Sequence, residues 1–243
     1  MDVAQLSRDF GVAEMTIRRD LGLLETEGIL TRVRGGATIT AGSSYEPPFA
    51  VRARDHIEEK SSIARTVAEN VNDGATIILD GGSTGMAIAE QLFGRAITVC
   101  PLSLRIASYL AGSPTIHLYI PGGTVRQGEQ SLIGSDTIDY LEAHKFDQFI
   151  MTASGMTLSS GFTEWNTEDA AVKRHAIKAS NHIIAAVDSS KFGQTAFVKL
   201  CSIETPDLIV TDQHLPDEAS DQLRARHVHL QQTSTSNESE PQP

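Results

Sequence analysis

The sequence predicts an α/β protein in two parts of unequal size. Residues 1–40 read as helix, turn, helix and hairpin, whereas 57–230 alternate apolar strand-like runs with amphipathic helices. That alternation is the pattern of a Rossmann-like, mostly parallel sheet with helices on both faces. Between them, 41–56 is rich in turn formers, and Pro47-Pro48 forbids regular helix or central strand there.

In the first part, "VAQLSRDF" (3–10) puts Val3, Leu6 and Phe10 on one helical face, and Gly11 is placed to end the helix. The next helix, 13–27, carries Ile17, Leu21 and Leu24 at i, i+4 and i+7, which turns Thr16 and Arg19 onto a different, outward face. Gly28 breaks it. "ILTRV", the turn "RGG" and "ATIT" then predict a hairpin in which Arg32 and Arg34 share one side. This is a winged helix-turn-helix, the arrangement that lays its second helix in the major groove of double-stranded DNA. Arg18 and Arg19 would then reach base edges or phosphates, Thr16 a base methyl or the backbone, and Arg32 and Arg34 flanking phosphates. The competing reading is a solvated helix whose arginines pair with Glu14 and Asp20. Residues 1–36 hold five Arg and no Lys against six Asp and Glu, net −1, so composition does not decide between them.

In the second part "ATIILD" (75–80) is a buried strand, followed by "GGSTG" and a helix through Leu92. "AITVCP", "IHLYIPGG", "DQFIMTAS", "HIIAAVDSS" and "DLIVTD" are further strands. "LSLRIASYL", "TEDAAVKRHAIKAS" and a segment near 216–226 are helices. Beyond 230, "QQTSTSNESEPQP" is too polar to pack and is expected to be disordered.

In such sheets ligands gather at the carboxyl ends of strands. Four segments share that address. "DGGSTG" offers backbone N–H groups at Gly82 and Gly85 and hydroxyls at Ser83 and Thr84 to an anion, beside Asp80. It has neither the Gly-Lys-Ser/Thr of a Walker A loop nor the spacing of a dinucleotide fingerprint. "PGGTVR" ends a strand at Gly123 and places Arg126 three residues on, where it can hold phosphate bidentately. "TASGM" has Gly155, whose missing side chain permits close ligand approach. "AVDSSKF" offers Asp188 and Lys191 within one turn.

Bulk properties narrow the field. A net charge of −11 over 243 residues confines any DNA contact to a local patch. No apolar run approaches the roughly 18 residues of a membrane span. With no leader pattern either, a cytoplasmic protein is expected. Cys100 and Cys201 lie in apolar runs and read as buried hydrophobes. The eight histidines show no metal-ligand spacing, so no metal or cofactor is expected. Trp165, after "GFTE", lines the pocket or packs in the core or at an interface.

"TIRRDL", the "LE.EG" turn and "RVRGGA", together with "DGGST", "GGTVR", "SLIG", "FD.F", "SGM", "E.AVK" (168–173) and "DSSKFG", resemble the DeoR family of bacterial transcriptional regulators. The resemblance runs from Met1 to about residue 212, and the linker shares it through Glu46, Pro48, Phe49 and Arg52. Family members carry a further helix before the position of Met1, so the DNA-binding domain is expected to be incomplete at its start, and they have serine where Ala13 stands. The resemblance implies a ribose-phosphate-isomerase-like sensor domain over 57–230 and a repressor of a carbohydrate-uptake or catabolic operon. It further implies that a phosphorylated sugar or polyol releases the repressor from operator DNA. On this reading Gly82 to Gly85 grip phosphate, Arg126 or Lys191 supplies charge, and Asp80, Asp188 or Glu168 contacts sugar hydroxyls. A homo-oligomer is implied by two-fold operators. Two other readings stay open: a sensor that has lost DNA binding, and an isomerase-like enzyme using Asp80, Glu168, Asp188 and Lys191.

Overall fold

The computed structural model describes residues 1–26, 30–38 and 45–233. The turn at Gly28, the end of "ATIT", residues 41–44 of the linker and the tail from 234 lie outside the described residues. Two compact units are present, Met1–Asp55 and His56–Pro243.

In the first unit Asp2 starts helix α1 (Val3–Phe10) by accepting the N–H groups of Ala4 and Gln5 at 2.9 and 3.1 Å. Gly11, at φ 65°, ends it with an N–H bond to the Ser7 carbonyl. Helix α2 (Glu14–Thr26) packs Ile17 and Leu21 against Val3, Leu30 and Ala37, with Leu6 and Leu24 at the margin. Phe10, expected on this inner stripe, is 70% exposed. The small core gathers beside the first turn of α1, and the last turn runs past it. Strands β1 (Thr31–Val33) and β2 (Gly36–Thr38) form an antiparallel wing with Arg34 and Gly35 at its tip. Backbone from Met1 to Val3 lies alongside the wing: the Ala37 N–H reaches the Met1 carbonyl (2.9 Å) and the Val3 N–H the Gly35 carbonyl (3.0 Å). A side chain at Gly36 would run into Met1. After Pro48 comes helix α3 (Phe49–Arg52), where the Arg52 guanidinium donates to the Pro47 carbonyl at 2.9 Å and pairs with Glu46 at 3.3 Å.

The second unit opens with helix α4 (Ile57–Glu69). It continues as β3 (Thr76–Leu79), α5 (Gly82–Leu92), β4 (Thr98–Pro101), α6 (Leu104–Leu110) and β5 (His117–Leu118). A hairpin of β6 (Thr124–Val125) and β7 (Leu132–Ile133), then α7 (Ser135–Ala143) and β8 (Phe146–Met151), follow. Next are β9 (Gly155–Thr157), β10 (Gly161–Glu164), α8 (Thr167–Ala179) and β11 (Ser180–Ala186). The last elements are β12 (Val198–Cys201), β13 (Leu208–Thr211), α9 (Asp217–Ala225) and β14 (Leu230–Gln232). The main sheet has the order β14-β13-β11-β8-β3-β4-β5, parallel throughout. A small antiparallel sheet, β12-β10-β9, stands apart from it.

Alternation along the strands builds two cores. Ile77, Leu79, Val99 and Ile184 pack with Ile63, Ile88 and Ile106 of α4, α5 and α6. Ile78, Phe149 and Ile183 pack on the other face with Leu141, Ala176 and Leu223 of α7, α8 and α9. The mixed α/β fold expected from the sequence is what forms, with two differences. The strand expected through "IHLYIPGG" is only His117 and Leu118; Tyr119 and Ile120 are exposed, because at the sheet edge only one neighbour pairs and Pro121 has no N–H to donate. Conversely Gln231 and Gln232, expected in a disordered tail, pair with β13, and Thr233 is buried with its hydroxyl 2.9 Å from that of Ser62. An edge strand tolerates such polar residues because one face meets water.

Candidate functional site

The strand order reverses at β3. From β3 the chain steps outward to β4 and β5, then returns to β8 on the other flank and proceeds to β11, β13 and β14. Ligand crevices in open parallel sheets lie at this reversal, beyond the carboxyl ends of the two central strands.

The residues that leave those ends are Asp80 after β3 and Thr152 after β8. One Asp80 carboxylate oxygen accepts the Thr152 N–H (2.9 Å) and hydroxyl (2.8 Å), and the other accepts the Gly81 N–H (2.8 Å). The buried Lys173 ammonium reaches in from α8, 2.8 Å from Asp80, 2.5 Å from Glu164 and 3.2 Å from the Thr152 carbonyl. Those three contacts use all three of its protons. Glu164 also accepts the Ser154 hydroxyl and the Trp165 N–H. Burial alone would push the Lys173 ammonium down, but the two carboxylates outweigh it and hold it above its ordinary value. Burial would likewise raise Glu164, yet Lys173 and the donated hydrogen bonds bring it below the usual carboxylate range. Two buried anions thus share one buried cation, which leaves the cluster with one negative charge in excess.

Beside this cluster Arg126 leaves β6 and pairs with Asp169 at 2.7 Å, its Nε 3.2 Å from the Ser131 hydroxyl. Burial pushes the Asp169 carboxyl above its ordinary value, and Arg126 recovers only part of the shift. The Arg126 loop adjoins the start of α5: Ser131 bridges Ser103, the Leu104 N–H meets the Gln130 carbonyl at 2.8 Å, and Gly81 lies against Ser103.

The glycine-rich turn opens helix α5 directly after β3. Gly82 sits at φ 77°, helix α5 begins with no side chain capping its N–H groups, and Thr84 is buried while Ser83 is half-buried. A Cβ at Gly85 would strike the Asp80 carbonyl, so glycine lets the helix approach the strand end.

Several expected site residues sit elsewhere. Glu168 is exposed on the first turn of α8, and the acids that point inward are Asp169 and Glu164. Gly123, at φ 96°, packs against Thr137 and the Ile133 carbonyl. At Gly155 the close approach is made by the backbone of Gln194, 2.5 Å from where a Cβ would stand, rather than left to a ligand. Asp188 is buried and caps a short turn (Ser189–Lys191) through Ser190. Among the described residues no bond joins Asp188 or Lys191 to the Asp80 cluster. Burial pushes the Cys100 and Cys201 thiols up to about 12 and about 11, leaving both protonated. No group of three or more metal-ligating side chains, and no helix long and apolar enough to cross a membrane, occurs among the described residues.

In the first unit Thr16, Arg18 and Arg19 are exposed on α2, as are Arg32 and Arg34 on the wing. Arg18 pairs with Glu14 at 2.9 Å and Arg19 lies 3.9 Å from Asp20. Exposed pairs of this kind contribute little and exchange readily for a phosphate.

Comparison with known proteins agrees with both units. Residues 1–41 match the DeoR-like helix-turn-helix domain and residues 55–213 the DeoR C-terminal sensor domain. The chain is 32% identical to the glycerol-3-phosphate regulon repressor of Escherichia coli (strain K12), covering 93% of this chain and 90% of that one. It is 33% identical to the HTH-type transcriptional repressor GlcR of Bacillus subtilis (strain 168), over 88% of this chain and 80% of that one. Among solved structures it is similar to ribose 5-phosphate isomerase A from Methanocaldococcus jannaschii (TM-score 0.42, 18% identity, 57% of this chain and 55% of that chain). With both domains matched and relatives above 30% identity over most of their length, the chain belongs to the DeoR family of DNA-binding transcriptional regulators.

Proposed function

We propose that this protein represses a carbohydrate-uptake or catabolic operon and leaves its operator when a phosphorylated sugar or polyol binds at the carboxyl edge of the main sheet. The observation that carries this is one chain with arginines exposed on a helix and wing together with a sensor domain whose central strands end in a glycine turn, an uncapped helix start and an arginine. Thr16, Arg18 and Arg19 read the major groove and Arg32 and Arg34 hold flanking phosphates. Gly82, Ser83, Thr84 and Gly85 take the ligand phosphate, with Arg126 as counter-charge. The names of the relatives, a glycerol-3-phosphate regulon repressor and a lactose phosphotransferase system repressor among them, support a ligand of this class. Two recognition helices at helical-turn spacing call for a homo-oligomer.

We infer binding without turnover from how the buried acids are engaged: Asp169, whose carboxyl is raised above its ordinary value, is held by Arg126. A sugar-phosphate isomerase needs a carboxylate able to take a proton, whereas Asp80 and Glu164 are both tied to Lys173 and Glu164 is held below its ordinary range. The test is fluorescence anisotropy on the DNA flanking the protein's own gene, with and without a pool of phosphorylated sugars. Specific binding reversed by the pool is expected. Specific binding that no phosphorylated sugar reverses would overturn the release mechanism, and no specific binding by folded protein would overturn the repressor assignment.

A further inference from the structure

Three buried carboxylates surround the switch point, and they are not equally satisfied. Asp80 and Glu164 each receive donors on both oxygens. Asp169 does not: one oxygen holds the Arg126 guanidinium at 2.7 Å, while the other is enclosed and has no hydrogen-bond partner among the described residues. The residue is only 7% exposed, and an undonated carboxylate oxygen at that depth is costly. Charge points the same way. Among these five groups Asp80, Glu164 and Asp169 stand against Lys173 and Arg126, an excess of one negative charge before any ligand arrives, and the loop that carries Arg126 holds a further buried acid, Glu129. A further anion brought to the Arg126 guanidinium therefore competes with Asp169 for it.

Resting on the reading above that a phosphorylated ligand binds at this edge, we propose that Asp169 is the specificity-determining residue of the site: it occupies Arg126 as an internal anion, and a ligand takes the guanidinium by displacing it. A ligand carboxylate would replace one carboxylate with another and gain nothing. A phosphate monoester brings about −1.5 to −2 charge and three acceptor oxygens, and so wins the exchange. A neutral polyol has no charge to offer. The pair therefore sets a charge threshold that selects phosphorylated ligands over their acid and alcohol counterparts.

The test is calorimetric titration of the full chain with inorganic phosphate, glycerol 3-phosphate, ribose 5-phosphate, glycerate and glycerol, for the wild type, Asp169→Asn, Arg126→Gln and the double variant. The wild type should bind a phosphate-bearing probe and ignore glycerate and glycerol. Asp169→Asn should bind that probe about tenfold more tightly and begin to take glycerate, since one competing charge-assisted bond is gone. Arg126→Gln should lose the phosphate, and Asp169→Asn should have no effect in that background. Asp169→Ser serves if the asparagine variant does not fold, with far-UV circular dichroism as the check. A folded Asp169 variant that binds the phosphate probe no more tightly than a binding wild type would overturn the role of Asp169 alone. If neither wild type nor Asp169 variants bind any phosphate-bearing probe, the reading of the site itself falls, and this inference with it.

Discussion

Asp80 and Thr152 close the gap between the two central strands with a two-point bond: a single carboxylate oxygen accepts both the N–H and the hydroxyl of Thr152, at 2.9 and 2.8 Å. The residue that the sequence offers as a reader of sugar hydroxyls is therefore committed to holding β3 and β8 in register. Its orientation fixes Gly81 as well, through the bond from the Gly81 N–H, and so sets where helix α5 begins. Through these bonds the carboxylate positions the glycine turn.

Replacing Lys173 with methionine keeps the apolar stem of the side chain but strands two buried carboxylates. Breaking a buried pair in this way costs about 3–5 kcal/mol. Urea unfolding of Lys173→Met against wild type should show a loss of that size with an unchanged denaturant slope. A loss below about 1 kcal/mol would mean the cluster is solvated and the charges are not coupled.

Stability should respond to pH with two opposing signs. Glu164 is depressed below the ordinary 4.5, so its contribution is present above that value and disappears as the pH falls through the folded value. Asp169 is raised above the ordinary 3.8, so the native state binds the extra proton and acidification towards its folded value relieves a cost carried at neutral pH. In Asp169→Asn that second slope should vanish. Unfolding free energies of both proteins at neutral pH and at about pH 4 test this: the asparagine variant should gain on wild type as the pH rises.

Gly85→Ala should damage the site from within, because the added methyl meets the Asp80 carbonyl and the Ile106 side chain. Overpacking of this kind costs about 1–3 kcal/mol. The start of α5 must shift to accommodate it, so the variant should lose affinity for a phosphorylated ligand while retaining operator binding. Full ligand affinity in Gly85→Ala would show that the helix start does not grip phosphate.

Arg18→Ala and Arg19→Ala remove charges that are exposed and only weakly paired. Each variant should weaken operator binding, and the log affinity against log salt should lose about one unit of slope if a phosphate contact is lost. A base contact would instead flatten the preference at one operator position by about 1–3 kcal/mol. Unchanged affinity and preference in both variants would remove α2 from the groove.

Most of the scaffold was legible because it obeys short-range periodicities. Ile17, Leu21 and Leu24 share a helical stripe, and the strands around 75–80 and 146–151 read as unbroken apolar runs. The polar site was less so. The phase of α8 depends on Asn166, whose side chain accepts the N–H groups of Glu168 and Asp169, and without that cap the inward acid cannot be told from its neighbour. Spacing held a usable signal, since Asp169 and Lys173 are i, i+4 on the stripe of Ala176. Glu164 was hidden for another reason: its strand is four residues long and belongs to a second sheet. Lys173 meets Asp80 only because α8 and β3 are brought together by the whole topology, which no local pattern encodes.

Lys173 divides its three protons among Asp80, Glu164 and the Thr152 carbonyl, and so joins four separate stretches of chain. Positions 80, 164 and 173 are consequently one evolutionary choice instead of three. A relative that replaces the lysine with an uncharged residue should replace both acids too, and relatives with one substitution alone should be rare. Such co-variation would be the genealogical imprint of a charge balance that tolerates no single step.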